Sequence, residues 1–299
     1  MKKIIASTIL LLVLASSAVA KDLKILTIGN SFSICLARYL PCVVHDAPGH
    51  TVTLTSAYIS GCPLERHWAN IETSEKDPEA RQYDVNTVSS DNPLAQAKVR
   101  GNINELIKKG DWDIITIQQA SPKSWDYATY QPYAARLITY IREHAPEAEI
   151  VIQQTWAYNA ADKRLHTDNE KGWGFDQTGM FERVRDAYRR LAAEHGLRVI
   201  PVGEAVQNAR ALGPAPVPPA TDDGETLTSA DADIVGVGKD TIHLNPRGEY
   251  LQACVWFGAL FGEDASSITF VPPGMDAGYA KTLRTCAQKA LVEYKQHKK

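Results

Sequence analysis

The chain has 299 residues, 44% of them hydrophobic and 22% charged, with a formal net charge of −3. That length suffices for one large α/β domain or two small ones, and the acidic balance argues against nucleic acid, whose phosphates need a basic face. Five cysteines with no C-x-x-C pair speak against a zinc knuckle or thioredoxin-like site, and their odd number leaves a thiol unpaired or joined to another chain.

Lys2 and Lys3 precede an apolar run over residues 4–14, and Ala18-Val19-Ala20 supplies a small-x-small pattern before Lys21. This is the pattern of a cleavable secretory signal over residues 1–20, and it predicts a periplasmic or secreted chain of residues 21–299. The run is too short for a comfortable membrane span, and no later stretch comes near one.

Residues 23–28 are β-rich, stop at Gly29-Asn30-Ser31, and give way to helical spacing through Ile34, Leu36, Ala37 and Leu40, with Pro41 bending or ending a helix before His45. In an α/β protein, ligands bind at the carboxyl ends of the parallel strands, where a helix N-terminus favours negative charge. Ser31 at that corner reads either as the helix N-cap or as a nucleophile. Residues 51–57 form a second strand, ending in a loop that carries Gly61. Residues 65–93 are polar, and a short hairpin or helix fits them. Leu94, Val99, Ile103, Leu106 and Ile107 have the spacing of a helix over residues 94–109 that closes on Gly110.

A short buried strand over 113–117 ends at Gln118-Gln119-Ala120-Ser121, and a helix fits 132–144. The fourth strand, 149–153, leads into Gln154-Thr155-Trp156-Ala157-Tyr158 and a polar, aromatic loop reaching about residue 175. An amphipathic helix over 181–195, a fifth strand over 197–202 and a short helix over 204–212 follow. Residues 213–240, with Pro214, Pro216, Pro218 and Pro219, read as a long loop. Helices over 246–261 and 277–294 close the chain. Strand and helix alternate five times without a repeat, which predicts a doubly wound parallel sheet.

The chemistry-bearing residues fall at the strand ends. Asp240-Thr241-Ile242-His243 places a carboxylate three residues before an imidazole, so that one turn brings it to Nδ1–H and leaves Nε2 as a base. A serine after strand one, a glycine after strand two, amides after strand three and D-x-x-H-x-N before the penultimate helix together form a sharper pattern. It resembles the SGNH (GDSL-like) hydrolase superfamily, and within it the secreted, carbohydrate-esterase-like branch with a G-N-S-F-S first block.

The resemblance implies a three-layer α/β/α sandwich with a five-stranded parallel sheet, flavodoxin-like, as one domain. It implies Ser31 as nucleophile, Asp240 and His243 as its acid–base pair, and the backbone N–H groups of Ser31 and Gly61 as oxyanion donors. The family's G-x-N-D block is replaced here by Gln118-Gln119, so either amide can complete the oxyanion hole, with Gln118 preferred. Asn30, Trp125, Trp156 and Tyr158 are the candidates for holding substrate. For the tryptophans, stacking on a sugar and packing the loop are equal alternatives.

No histidine falls in an H-E-x-x-H or similar spacing, so no metal or organic cofactor is expected. The expected substrate is an ester on a carbohydrate or polysaccharide, O-acetyl before methyl. A glycan-binding protein that has kept the scaffold without catalysis is the alternative.

Overall fold

The computed structural model describes residues 20–212 and 240–296. The signal-like segment, apart from Ala20, and the proline-rich stretch 213–239 lie outside the described residues. Seven strands make one sheet: β1 (Lys21–Gly29), β2 (His50–Tyr58), β3 (Tyr83–Ser89), β4 (Asn92–Gly101), β5 (Ile114–Ile117), β6 (Glu149–Gln153) and β7 (Arg198–Ile200). Their spatial order is β4-β3-β2-β1-β5-β6-β7. The run β2-β1-β5-β6-β7 is parallel, while β3 and β4 add an antiparallel hairpin along β2.

The five parallel strands stand where the sequence predicts them, and their composition says why. All four residues of β5 and the last five of β1 are buried, as strands covered on both faces must be, and such strands read as unbroken apolar runs. The count of five strands is corrected to seven by the hairpin. β3 falls in the polar stretch and buries only Tyr83, Val85 and Val88. β4 occupies the first half of the expected helix 94–109. Its Leu94 and Val99 are 91% and 64% exposed, so their helical spacing serves no core. The helix that does form there is α4, below, with Ile103 and Ile107 buried and Asn102 as its N-cap.

The helices are α1 (Ser31–Ile34), α2 (Leu40–His45), α3 (Leu64–Lys76), α4 (Ile103–Lys108), α5 (Tyr133–His144), α6 (Gln177–His195), α7 (Val202–Arg210), α8 (Pro246–Phe261) and α9 (Ala277–Gln296). The single helix expected between Ser31 and His45 is broken: a 3-10 turn, Cys35–Arg38, separates α1 from α2, and Pro41 sits in the first turn of α2, where its missing N–H costs nothing. Helices α2, α7, α8 and α9 pack together, and α3, α4 and α5 form a second group. α8 is apolar almost all round and correspondingly buried, with Val255, Trp256 and Phe257 at 0–1% exposure. Each such side chain contributes about 1.5–3 kcal/mol. All five cysteines are free thiols.

Register positions the site. Gly29 pairs with Tyr58, Ile28 with Ile117, and Ile117 with Ile152. The residues at or just past these strand ends, Asn30-Ser31, the 59–63 loop, Gln118 and Gln153, therefore gather along one carboxyl edge of the sheet.

Candidate active site

The corner after β1 is built tightly. A Cβ on Gly29 would lie 2.4 Å from Ser33 Oγ, so any larger residue there forces the Ser33 side chain to shift. Asn30, not Ser31, is the N-cap: its Oδ1 accepts from Phe32 N at 3.1 Å. The same Oδ1 accepts from Gln118 Nε2 at 2.8 Å, and Asn30 Nδ2 donates to Cys62 O at 3.1 Å. Asn30 is 2% exposed. Its side chain ties three strand-end loops together, which corrects its expected role as a substrate holder. With the cap supplied by its neighbour, Ser31 has its hydroxyl free for another partner.

That partner is His243. Ser31 Oγ and His243 Nε2 are 2.8 Å apart, and His243 Nδ1 lies 2.5 Å from Asp240 Oδ2. Asp240 Oδ1 accepts from the N–H groups of Ile242 and His243 at 2.8 and 3.2 Å. Burial pushes the Asp240 carboxyl up, but the bonds from His243, Ile242 N and His243 N outweigh it and hold the group below the usual carboxylate range. A charged Asp240 favours the tautomer with the proton on Nδ1 and a free, basic Nε2.

The Asp240–His243 turn is clasped by the loop after β6. Thr241 O accepts from Asn159 N at 2.9 Å, Thr241 Oγ1 donates to Asp162 Oδ2 at 2.6 Å, and Trp156 Nε1 donates to Ile242 O at 2.9 Å. Asp162 is also bonded twice by the Arg164 guanidinium, at 2.7 and 2.6 Å. Burial raises its carboxyl, yet the Arg164 and Thr241 bonds bring it down to about 2. Asn245, last of the D-x-x-H-x-N residues, is spent as the N-cap of α8, accepting from Arg247 N and Gly248 N.

Trp156 is fully buried. It stacks on Phe32 at 4.0 Å and 4°, and Phe32 meets the His243 ring edge-on at 5.8 Å. Tyr158 is likewise at 0% exposure, bonded through its hydroxyl to Ser121 Oγ at 2.8 Å. Neither ring has a face for a sugar, which corrects both as substrate platforms; Trp156 instead backs the ring pair under His243. Trp125 is half-buried, against Trp173 at 5.5 Å and Phe175 at 5.0 Å.

The two amides of the third block differ. Gln119 Nε2 lies 2.9 and 3.2 Å from Thr129 O and Oγ1, and its Oε1 accepts from Leu64 N and Ala120 N. Both of its N–H bonds are thereby directed to Thr129. Gln118 Nε2 has one acceptor among the described residues, Asn30 Oδ1, and an amide nitrogen carries two hydrogens. Gly61 adopts φ +59°, and nothing lies within 4 Å of a Cβ built there. Its loop is held to the serine corner by the Asn30–Cys62 bond.

Beneath the corner runs a ladder of amides that sequence reasoning missed. Gln153 Nε2 donates to Gln118 Oε1 at 2.6 Å and to Phe32 O at 2.8 Å, while Gln153 Oε1 accepts from Gln252 Nε2 at 2.8 Å and Trp256 Nε1 at 2.6 Å. Cys35 Sγ donates to Gln252 Oε1 at 3.1 Å. Each of the three glutamines is at most 3% exposed. This buried network ties Gln118 through Gln153 to Gln252 on α8. The available signal was an amide directly after an all-apolar strand at 118, an amide closing a strand at 153, and one amide inside a mostly apolar helix, at 252.

Among the described residues there is no cluster of three or more His, Cys, Asp or Glu placed to hold a metal, and no helix long and apolar enough to cross a membrane.

The described residues thus make a mostly parallel seven-stranded sheet with Ser31, His243 and Asp240 brought together at its carboxyl edge. The fold is similar to that of a candidate SGNH hydrolase from Slackia heliotrinireducens, with a TM-score of 0.50 at 18% identity over 80% of this chain and 100% of that one. The chain itself belongs to the family described as "Domain of unknown function (DUF4886)", whose model matches residues 24–290. A DUF4886 family protein from Bacteroides uniformis ATCC 8492 is 30% identical, with a TM-score of 0.74 over 91% of this chain and 95% of that one. No curated protein matches the sequence.

Proposed function

We propose that this protein is an exported serine esterase that removes a carboxylic ester, O-acetyl before methyl, from a carbohydrate. The observation that carries the reading is the unbroken relay from Ser31 Oγ through His243 to Asp240, at 2.8 and 2.5 Å. A serine hydroxyl is a weak nucleophile until a neighbouring base takes its proton. Ser31 Oγ attacks the ester carbonyl while His243 Nε2 accepts the hydroxyl proton, and Asp240 stabilises the imidazolium that results. The tetrahedral oxyanion is met by the Ser31 N–H, which has no intrahelical acceptor at the first position of α1, by the Gly61 N–H, and by the second Nε2 hydrogen of Gln118. Each such donor is worth roughly 3–4 kcal/mol.

His243 then passes its proton to the departing alcohol oxygen as the C–O bond breaks, leaving an acyl-Ser31. Water, deprotonated by the same imidazole, attacks that acyl group, releases the acid and returns the proton to Ser31. No step calls on a metal or cofactor. The carbohydrate as substrate and the export rest on the resemblance of the first block and on the signal-like segment of residues 1–20.

Ser31→Ala tests the reading. Hydrolysis of p-nitrophenyl acetate should fall by more than a hundredfold with the fold intact by circular dichroism, and a smaller loss sinks the assignment. Acetate and methanol release from a panel of polysaccharides then separates the two esters.

A further inference from the structure

The hydrogen bonds of Asp240 and His243 close on themselves. Among the described residues, the Asp240 carboxylate bonds only to the Ile242 and His243 N–H groups and to His243 Nδ1, and the imidazole only to Asp240 and Ser31 Oγ. Such bonds shape the turn, but they do not fix where it stands on the edge of the sheet. Its far end runs into α8, capped by Asn245 two residues after His243. Its near side depends on Thr241 and Ile242, the two residues between the acid and the base. Their bonds outside the turn go to one loop: from Trp156 Nε1 to Ile242 O, from Asn159 N to Thr241 O, and from Thr241 Oγ1 to Asp162 Oδ2.

The bond to Asp162 differs from the other two. It joins a hydroxyl to a carboxylate at 2.6 Å, and a charged acceptor makes such a bond shorter and roughly twice as strong as a neutral one. Asp162 is buried, and a fork sets its carboxylate: Arg164 Nε bonds one oxygen at 2.7 Å and Nη2 the other at 2.6 Å. The guanidinium is placed in its turn by rings, 4.5 Å over Tyr158 and 5.4 Å over Trp173. The Tyr158 hydroxyl reaches Ser121 in the loop after β5. A line of contacts thus runs from that loop through Tyr158, Arg164 and Asp162 to Thr241.

We infer that Asp162 is a positioning residue of the relay: by holding Thr241 it keeps the His243 imidazole within reach of Ser31 Oγ. A misplacement of about 1 Å at a reacting group costs on the order of 10² in rate, so one bond at the back of the turn has a large kinetic consequence. The effect on rate rests on the esterase reading; the effect on the placement of His243 does not. Asp162 also serves its own loop, since its Oδ1 accepts from Arg164 N at 2.9 Å. Thr241→Val separates the two roles. It removes the hydroxyl that ties the turn to Asp162 and leaves every bond inside the loop in place.

Two measurements on the full chain test this. The first is steady-state hydrolysis of p-nitrophenyl acetate. Thr241→Val should lower kcat about tenfold or more with KM within about twofold, and Thr241→Ser, which keeps the hydroxyl, should restore it. Adding Thr241→Val to Asp162→Ala should slow the enzyme no further, since both remove the same bond. The second measurement is a crystal structure of Thr241→Val, in which His243 Nε2 should stand farther from Ser31 Oγ than the roughly 3.2 Å of a working hydrogen bond. A kcat within about twofold of wild type, or a rise in KM of about tenfold with kcat kept, overturns the inference. So does a His243–Ser31 separation that stays at 2.8 Å. If the wild type cleaves the ester and Thr241→Val matches it in rate and geometry, the positioning role fails alone. If the imidazole moves as described and the wild type cleaves no ester, the esterase reading fails alone.

Discussion

The two halves of the candidate relay are built in opposite ways. The serine half is part of the core: Asn30 is 2% exposed and bonded on three sides, with Gln118, Gln153 and Gln252 stacked in hydrogen-bonded series behind it. The Asp240–His243 half is a short turn whose two side chains are 38% and 44% exposed. It is held from outside by Asn159, Asp162 and Trp156. Ser31 is thus held by the same bonds that hold the fold, and His243 by a turn clasped from the loop after β6. Damage to the first half should cost stability and rate together; loss of the Asp240 charge, in the exposed turn of the second, should cost chiefly rate.

The largest expected effect is on the second half. Asp240→Asn keeps the shape but removes the charge and permits the wrong tautomer, so kcat should fall on the order of 10³ while the melting temperature moves by no more than a few degrees. Paired stopped-flow and calorimetric measurements read both; a collapse in melting temperature would erase the contrast drawn above.

Gln118→Ala strikes the first half. It removes the proposed oxyanion donor and strips partners from Asn30 and Gln153, so kcat should drop by about 10² and stability by about 1–3 kcal/mol for the buried groups left unpaired. Gln119→Ala should share the stability loss, since Gln119 anchors Leu64 and Thr129, without the loss in kcat. If Gln119→Ala carries the rate effect instead, the assignment of the two amides is reversed.

The smallest effect is a pH dependence in the clasp. Asp162 titrates at about 2 against an ordinary 3.8. The unfolded chain takes up that proton near pH 4 and the folded chain only near 2, so the contribution is complete above pH 4 and is lost as pH falls toward 2. It amounts to about 2 kcal/mol. Urea unfolding of wild type and Asp162→Asn at pH 6 and pH 2.5 should show the difference between them shrinking at the lower pH; a constant gap would remove Asp162 from the account.

What the sequence made legible follows from the same contrast. The five parallel strands announce themselves because both their faces are covered, and the relay residues because each sits in a short local motif at a strand end. The hairpin was hidden: β4 is wet on both faces, and Leu94 and Val99 fall by chance at helical spacing toward the buried Ile103 and Ile107. Trp156 and Tyr158 were placed correctly after β6 but not their burial, because nothing local shows that the loop folds inward to stack on Phe32 and clasp Thr241. Gln153 and Gln252 were invisible as a pair, being distant in sequence and joined only when α8 docks.

The unbridged cysteines have a practical consequence. Burial pushes every thiol up, Cys62 and Cys254 to about 12, and alkylating reagents act on the thiolate. A new cysteine set on the open face of β4, in place of Gln96 for instance, would stand near ordinary acidity among five quiet ones. It would accept a maleimide dye almost exclusively, giving a reporter on the hairpin without first stripping the native thiols from the core.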